Sequence, residues 1–468
     1  MPTVNLLVAM LVISFISTIL EDITENKRGG DSMKKIDLTK GKVITVIAAL
    51  ALPIMGSSLL QFTYNLIDMI WVGKLGSHAV ASIGSSSLYV NIGNALNSLV
   101  VIGTGIKVAH AVGKKNEKEI KEYINSGIVI NIIIGIVFGL ILILLGEKFI
   151  GFLNLNNSEV EKNAYYYLAL NAPILFFAFF NMMYTRILGS FGNNKLAFKI
   201  NGVGVALNIV LDPICIYIFK LGVVGAGVST LIANIIMFIL FRMNANEILT
   251  YKYNLKINFE KIKEIIKLGS PMAFQRVLFT VINIILAKII AIFGAEAIAA
   301  QKIGVQIESI AYMIIGGLNG AVASFTGQNF GAGKLKRIKE GYKSALIVGI
   351  SYAILMAIIF LLFNKQLIRI FINDEATTVI AASYLSAVAF SQIFSAIEMI
   401  SNGMFTGIGK PKIPATISII FTSFRIPLAI LLIKPFGISG IWISICVSSI
   451  LKGISSYLIY EVKIKRNL

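Results

Sequence analysis

Apolar runs follow one another along almost the whole of this sequence, each long enough to cross a hydrocarbon core, which takes roughly 20 residues of helix. The pattern places helices over 44–72, 78–111, 120–146, 160–188, 195–219, 222–246, 262–293, 295–327, 337–363, 377–406, 412–433 and 437–462. In lipid every backbone polar group must be satisfied internally, so a spanning segment is a helix or part of a closed barrel. These runs are apolar on all sides and far longer than the roughly ten-residue alternating strands of a barrel. With 56% hydrophobic and 14% charged residues, the expected class is an all-α polytopic membrane protein with twelve transmembrane helices.

A formal charge of +19 invites a nucleic-acid reading, so the position of the lysines matters. If the loop 112–121 ("VGKKNEKEIK") and its equivalents face the cytoplasm, that side and both tails hold about 26 Lys/Arg against about 7 opposite. The basic balance therefore reports topology, with both ends of the twelve-helix unit cytoplasmic, and argues against a nucleic-acid partner. Lys107, Arg186, Lys288 and Lys302 lie near helix ends and are expected to snorkel toward the interface. Cys215 and Cys446 lack CxxC spacing and read as core filler, while His78 and His110 sit at helix ends without the neighbours a metal site needs.

Residues 1–32 hold an apolar stretch, "VNLLVAMLVISFISTIL", with no basic segment before it, followed by polar "EDITENKRGGDS". It is read as an extension, either an extra helix or the product of a mis-called start ahead of Met33. Beyond it the chain repeats. Pro53 and Pro271 differ by 218, as do Asn65 and Asn283, Gly76 and Gly294, Ala79 and Ala297, Gly113 and Gly331, and Tyr166 and Tyr384. The expected organisation is a six-helix bundle over 33–246, a cytoplasmic linker over 247–261, and a second bundle with a basic tail over 262–468. Six helices per half is an even number, so the repeat is parallel, and two such bundles suit alternating access to a central site.

An ionisable side chain at membrane depth is by default functional, because a central Asp costs about 2.5–3.5 kcal/mol. Asp68 follows Tyr64 by one helical turn, and Asn208 precedes Asp212 by one turn, with Pro213 next. Such oxygen-rich clusters suit a hard cation such as Na⁺, or a proton on a desolvated carboxylate; the alternative is burial against Arg or Lys. Thr230 adds a hydroxyl. The repeat speaks for function, since position 286, the counterpart of Asp68, is Leu. Asn181 in the aromatic stretch 174–184, Gln275 after the Pro271 kink, and Glu308 deep in the second half are the cavity candidates. Arg425 is an alternative partner for Glu308 or Glu398, and the aromatic stretch itself more often means core packing.

The segments "LALPIMGSSLLQFTYNLIDMIWVGKLGSHAVASIG", "NIVLDPICI" with "GVVGAGVSTLIA", and "GQNFGAGKLKR" resemble the multidrug and toxic compound extrusion (MATE) family over residues 33 to about 465. The pattern is most similar to the DinF-type branch. The resemblance implies two six-helix bundles and secondary antiport, in which organic, mostly cationic drugs leave the cell in exchange for Na⁺ or H⁺. It implies a first-bundle cation site of Asp68, Asn208, Asp212 and Thr230, with Tyr64 in its network, Asn181 as the fourth-helix amide and Pro53 as the bending point of the first helix. The second-bundle acid of the sodium-coupled NorM-type branch has no match in "PMAFQRVLFTVIN".

The expected setting is a bacterial cell membrane, the expected partners are small-molecule drugs and lipid, and the chain is expected to act as a monomer with no cofactor beyond the coupling ion. The rival within the wider superfamily is a lipid-linked oligosaccharide flippase, which resembles a fourteen-helix design with a cationic cavity. An intramembrane enzyme is the rival from another class, and no HExxH or GxSxG motif supports it.

Overall fold

The computed structural model describes residues 37–155, 157–249 and 258–466. The segment 1–32, and 250–257 within the expected linker, lie outside the described residues. Among those described there is no strand. The long helices are α1 (Val43–Gly73), α2 (Ser77–Gly113), α3 (Glu117–Phe152), α4 (Ser158–Ser190), α5 (Asn194–Pro213), α6 (Gly222–Asn244), α7 (Phe259–Ala291), α8 (Ala295–Gly331), α9 (Leu335–Leu362), α10 (Glu375–Ala389), α11 (Gln392–Gly407), α12 (Lys412–Phe436) and α13 (Ser439–Ile459).

Among the described residues eleven spans pass the length and hydropathy of a membrane crossing, and α10 with α11, bent by 55°, makes a twelfth if the pair is one span. The expected tenth helix, 377–406, is therefore broken near its middle. Asparagine starts several helices: Asn116 accepts from the Glu119 N–H, Asn157 from those of Glu159 and Val160, and Asn193 from that of Leu196. Each satisfies an amide that has no partner inside its own helix.

The chain divides into two compact units, one of Gly56–Val112 and Asn116–Gly269, the other of Leu38–Met55, Gly113–Lys115 and Ser270 onward. One division falls inside α1, at Met55–Gly56, two residues past Pro53, and another inside α7, directly before Ser270 and Pro271. Both prolines lie in the interior of continuous helices.

In the first unit the core gathers Val100, Val108, Tyr123, Ile124, Phe180, Tyr184, Ile187, Phe241 and Ile265. The aromatic stretch 174–184 belongs to this packing, with the Phe180 and Tyr184 rings 5.4 and 5.8 Å from that of Phe238. Lys107, expected to reach toward the interface, forms an ion pair with Glu264, which also accepts from the Tyr123 hydroxyl at 2.8 Å. In the second unit Leu286, the counterpart of Asp68, is 1% exposed within an apolar cluster that includes Ile290, Ala300, Phe360 and Trp442.

The approach of α6 to the end of α5 depends on a missing side chain. A Cβ on Gly225 would stand 2.7 Å from the Cys215 carbonyl, so α6 passes directly against the chain just beyond α5. That obstacle is backbone, which cannot rotate aside as a side chain can. Gly225→Ala is expected to cost about 1–3 kcal/mol, seen as a lower melting temperature of the purified protein; an unchanged melting curve would contradict this packing.

Candidate cation site in the first unit

The fifth helix carries Asn208 and Asp212 one turn apart on one face, as the spacing predicts. It does not stop at Pro213. Lacking an N–H, Pro213 cannot complete the preceding turn, and the helix widens into a π turn over Ile214–Ile218, where the Phe219 N–H donates to the Ile214 carbonyl at 2.9 Å. Against this turn the Gly225 contact seats α6, which brings Ser229 and Thr230 up to the α5 face. Tyr64 of α1 reaches the same place.

Following the protons shows which oxygens remain free. The Thr230 hydroxyl donates to the Ala226 carbonyl at 2.9 Å and thereby spends its one proton. Its oxygen is left to accept from the Asn208 amide at 3.4 Å and from the Tyr64 hydroxyl at 3.4 Å. The Ser229 hydroxyl donates to Asp212 Oδ1, with the Ala226 carbonyl as a second acceptor at 2.9 Å. What remains is Asn208 Oδ1 and Asp212 Oδ2, two buried acceptors with no donor among the described residues. Asn208 is 5% exposed and Asp212 0%.

Asp68, one turn beyond Tyr64, is half-buried, and its charge acts on Asp212, Tyr64 and Tyr167. Buried polar atoms are normally paired, and an unmade bond costs about 1–3 kcal/mol. Two such oxygens, a hydroxyl whose proton points elsewhere and a second carboxylate make a donor set suited to a hard cation.

Asn181 of α4 stands one step back. Its amide donates to the Asn234 backbone carbonyl at 3.0 Å and to Asn234 Oδ1 at 3.1 Å, while the Asn234 amide donates to the Thr230 carbonyl at 2.9 Å. Tyr64, Asn208, Asp212 and Thr230 are thus brought together, with Asp68 joined through its charge and Asn181 through Asn234. Gln275 and Glu308 belong to the second unit. Gln275 is half-buried with an unpartnered Oε1, whereas Glu308 already accepts from Tyr384, Tyr312 and Gln392. Arg425 pairs with neither acid: it donates to the Ser448 and Ser449 hydroxyls, and Glu398 takes Lys452 at 3.0 Å.

Ser229 and Asn234 were not singled out by the sequence. Each occupies an apolar helix where a hydroxyl or amide bonding to its own backbone is the ordinary reading. Only the approach of α6 to α5 reveals their partners.

A single family model, MatE, matches this chain twice, over residues 53–214 and 271–431, starting at Pro53 and again at Pro271. The chain belongs to the MatE family. Among its MatE-family relatives, a probable multidrug resistance protein, NorM, of Thermotoga maritima is 26% identical over 84% of this chain and 87% of its own length. The multidrug export protein MepA of Staphylococcus aureus is 25% identical over 90% and 94%. A solved structure of the MATE transporter VcmN of Vibrio cholerae superposes with a TM-score of 0.86 at 22% identity, covering 91% of this chain and 98% of its own, and shows the shared fold. This MatE-family chain is thus a multi-pass membrane transporter, and its doubled match coincides with the 218-residue repeat.

Removing the Ser229 hydroxyl leaves both Asp212 oxygens without a donor. Ser229→Ala is expected to destabilise the cation-free protein by about 1–3 kcal/mol and to change the thermal stabilisation gained on adding Na⁺ or lowering pH; a melting profile identical to wild type under all conditions would contradict the assignment of Ser229.

Proposed function

We propose that this MatE-family protein is a multidrug efflux antiporter of the DinF-type branch, expelling organic, mostly cationic compounds in exchange for Na⁺ or H⁺ by alternating access. The observation that carries the reading is the pair of unpartnered buried oxygens, Asn208 Oδ1 and Asp212 Oδ2, beside the Thr230 hydroxyl and within the field of Asp68. Two carboxylates at membrane depth are costly together, and one bound cation or shared proton removes one of their two charges. The naming of relatives as multidrug resistance and export proteins supports the substrate class.

In this reading the incoming ion takes the Asp68, Asn208, Asp212 and Thr230 oxygens, with Tyr64 closing the network through Thr230. Its departure on the other side of the membrane restores negative charge, which attracts a cationic, amphipathic substrate. Coupling requires that ion and substrate prefer different states, because a ligand with equal affinity for both shifts nothing. The first helix links the two: it carries Tyr64 and Asp68 on its second half and Pro53 as a bending point on its first. In this reading both ends of the twelve-helix unit lie on the cytoplasmic side of the cell membrane, a topology supported by the excess of Lys and Arg in the loops assigned to that side.

The test is efflux of a fluorescent organic cation from proteoliposomes under an imposed Na⁺ gradient or an imposed proton gradient. One gradient is expected to drive efflux, and Asp68→Asn or Asp212→Asn to abolish it at wild-type protein levels. Wild-type efflux in both variants would overturn the site. The absence of efflux under either gradient would overturn the antiport itself and favour a lipid-linked oligosaccharide flippase.

A further inference from the structure

The break between α10 and α11 has no ordinary cause in the sequence. Sharp kinks occur at Pro, at Gly or Ser pairs, at π turns, or where a side chain inserts into the ladder of backbone bonds. From Glu375 to Asn402 there is neither Pro nor Gly. The break falls at Phe390 and Ser391, and there the Val388 carbonyl accepts from the Ser391 N–H at 3.0 Å, the Ser391 hydroxyl at 2.9 Å and the Gln392 amide at 3.4 Å. These bonds satisfy the interrupted turn. They do not fix the angle between the arms, because all of them are local to the break.

What reaches both arms is Glu308 of α8. Its Oε2 accepts from the Tyr384 hydroxyl on α10 at 2.5 Å, and its Oε1 accepts from the Gln392 amide on α11 at 3.4 Å. Tyr312, one turn along α8, donates to Oε1 at 2.7 Å and lies 3.3 Å from the Ser395 hydroxyl of α11. Glu308 is 6% exposed, Tyr384 2% and Gln392 0%. The Tyr384 ring is held in turn by an edge-on contact with Trp442, 5.1 Å between centroids. Three donors converge on the carboxyl, whose two oxygens serve as acceptors for all of them.

We infer that Glu308 is a positioning residue that fixes the bend of the α10–α11 span, gripping one arm through Tyr384 and the other through Gln392 and Tyr312, and that it does not bind the coupling ion. Both of its oxygens already accept from protein donors, Oε1 from Tyr312 and Gln392 and Oε2 from Tyr384, on both sides of the break. The contrast with Asp212, one of whose oxygens has no donor, is direct.

Two nitroxide labels test the bend, one at Val379→Cys on α10 and one at Lys410→Cys just past α11; both positions are exposed, and the native Cys215 and Cys446 are buried. A narrow distance distribution is expected in the otherwise wild-type chain, and a broad or shifted one in Glu308→Gln and in Tyr384→Phe. In proteoliposomes, efflux is expected to fall on the order of tenfold in each, and the double variant to be no worse than either single one, because the two groups act as one contact. The ion concentration giving half-maximal efflux is expected to stay at the wild-type value.

Should Glu308→Gln fail to fold, Tyr384→Phe and Tyr312→Phe, each lacking one hydroxyl, carry the test. A narrow, unshifted distribution in these variants would overturn the positioning role, as would a changed ion dependence in Glu308→Gln alone with Tyr384→Phe at wild-type efflux. The distance measurement is independent of the proposed antiport, so its failure and that of the antiport are distinguishable.

Discussion

The cost of holding charge away from water governs how this protein spends its polar residues. An unpaired buried charge costs several kcal/mol, so each ionisable group at membrane depth either finds a partner in the protein or awaits one from outside. The second unit takes the first course. Glu398 has Lys452, Glu308 has three donors, and Arg425 has two serine hydroxyls. In the proposed reading the first unit takes the second course, for an oxygen of Asn208 and one of Asp212 have no donor among the described residues. On that reading the two halves of the repeat hold their acids for different purposes.

The divergence is visible at paired positions. Asp68 and Leu286 are counterparts, one half-buried and the other sealed in an apolar cluster. Tyr166 and Tyr384 are counterparts too, yet Tyr166 is 47% exposed and Tyr384 closes the Glu308 contact. A repeat conserves the path of the backbone because packing of helix against helix demands it. It does not conserve what each side chain faces.

That difference explains what the sequence could reveal. The spans were legible because hydrocarbon thickness dictates length and composition residue by residue, and observed helices begin and end within a few residues of the expected ones. The pairing of Asn208 with Asp212 was legible because one helical turn fixes which side chains share a face. Thr230 stood out as a hydroxyl in the sixth apolar segment, and the resemblance pointed to it as well. Ser229 was not, since its partner is 17 residues away on another helix and the approach depends on the missing Cβ of Gly225. The π turn after Pro213 and the bend at Ser391 were equally hidden: proline announces a disturbed turn without saying whether the helix ends or widens, and the bend has no proline at all. The Glu264 partner of Lys107 was hidden too, since it lies on a helix distant in sequence.

Whether the cation-seeking oxygens lie in the first unit alone is most directly tested by measuring cation binding itself. Purified protein is titrated with radiolabelled sodium while a pH dye records proton uptake or release. Binding of whichever cation is observed is expected to vanish in Asp68→Asn and Asp212→Asn and to persist in Glu308→Gln. Binding that survives both aspartate substitutions and disappears in Glu308→Gln would place the site in the second unit and contradict the division of roles between the two halves.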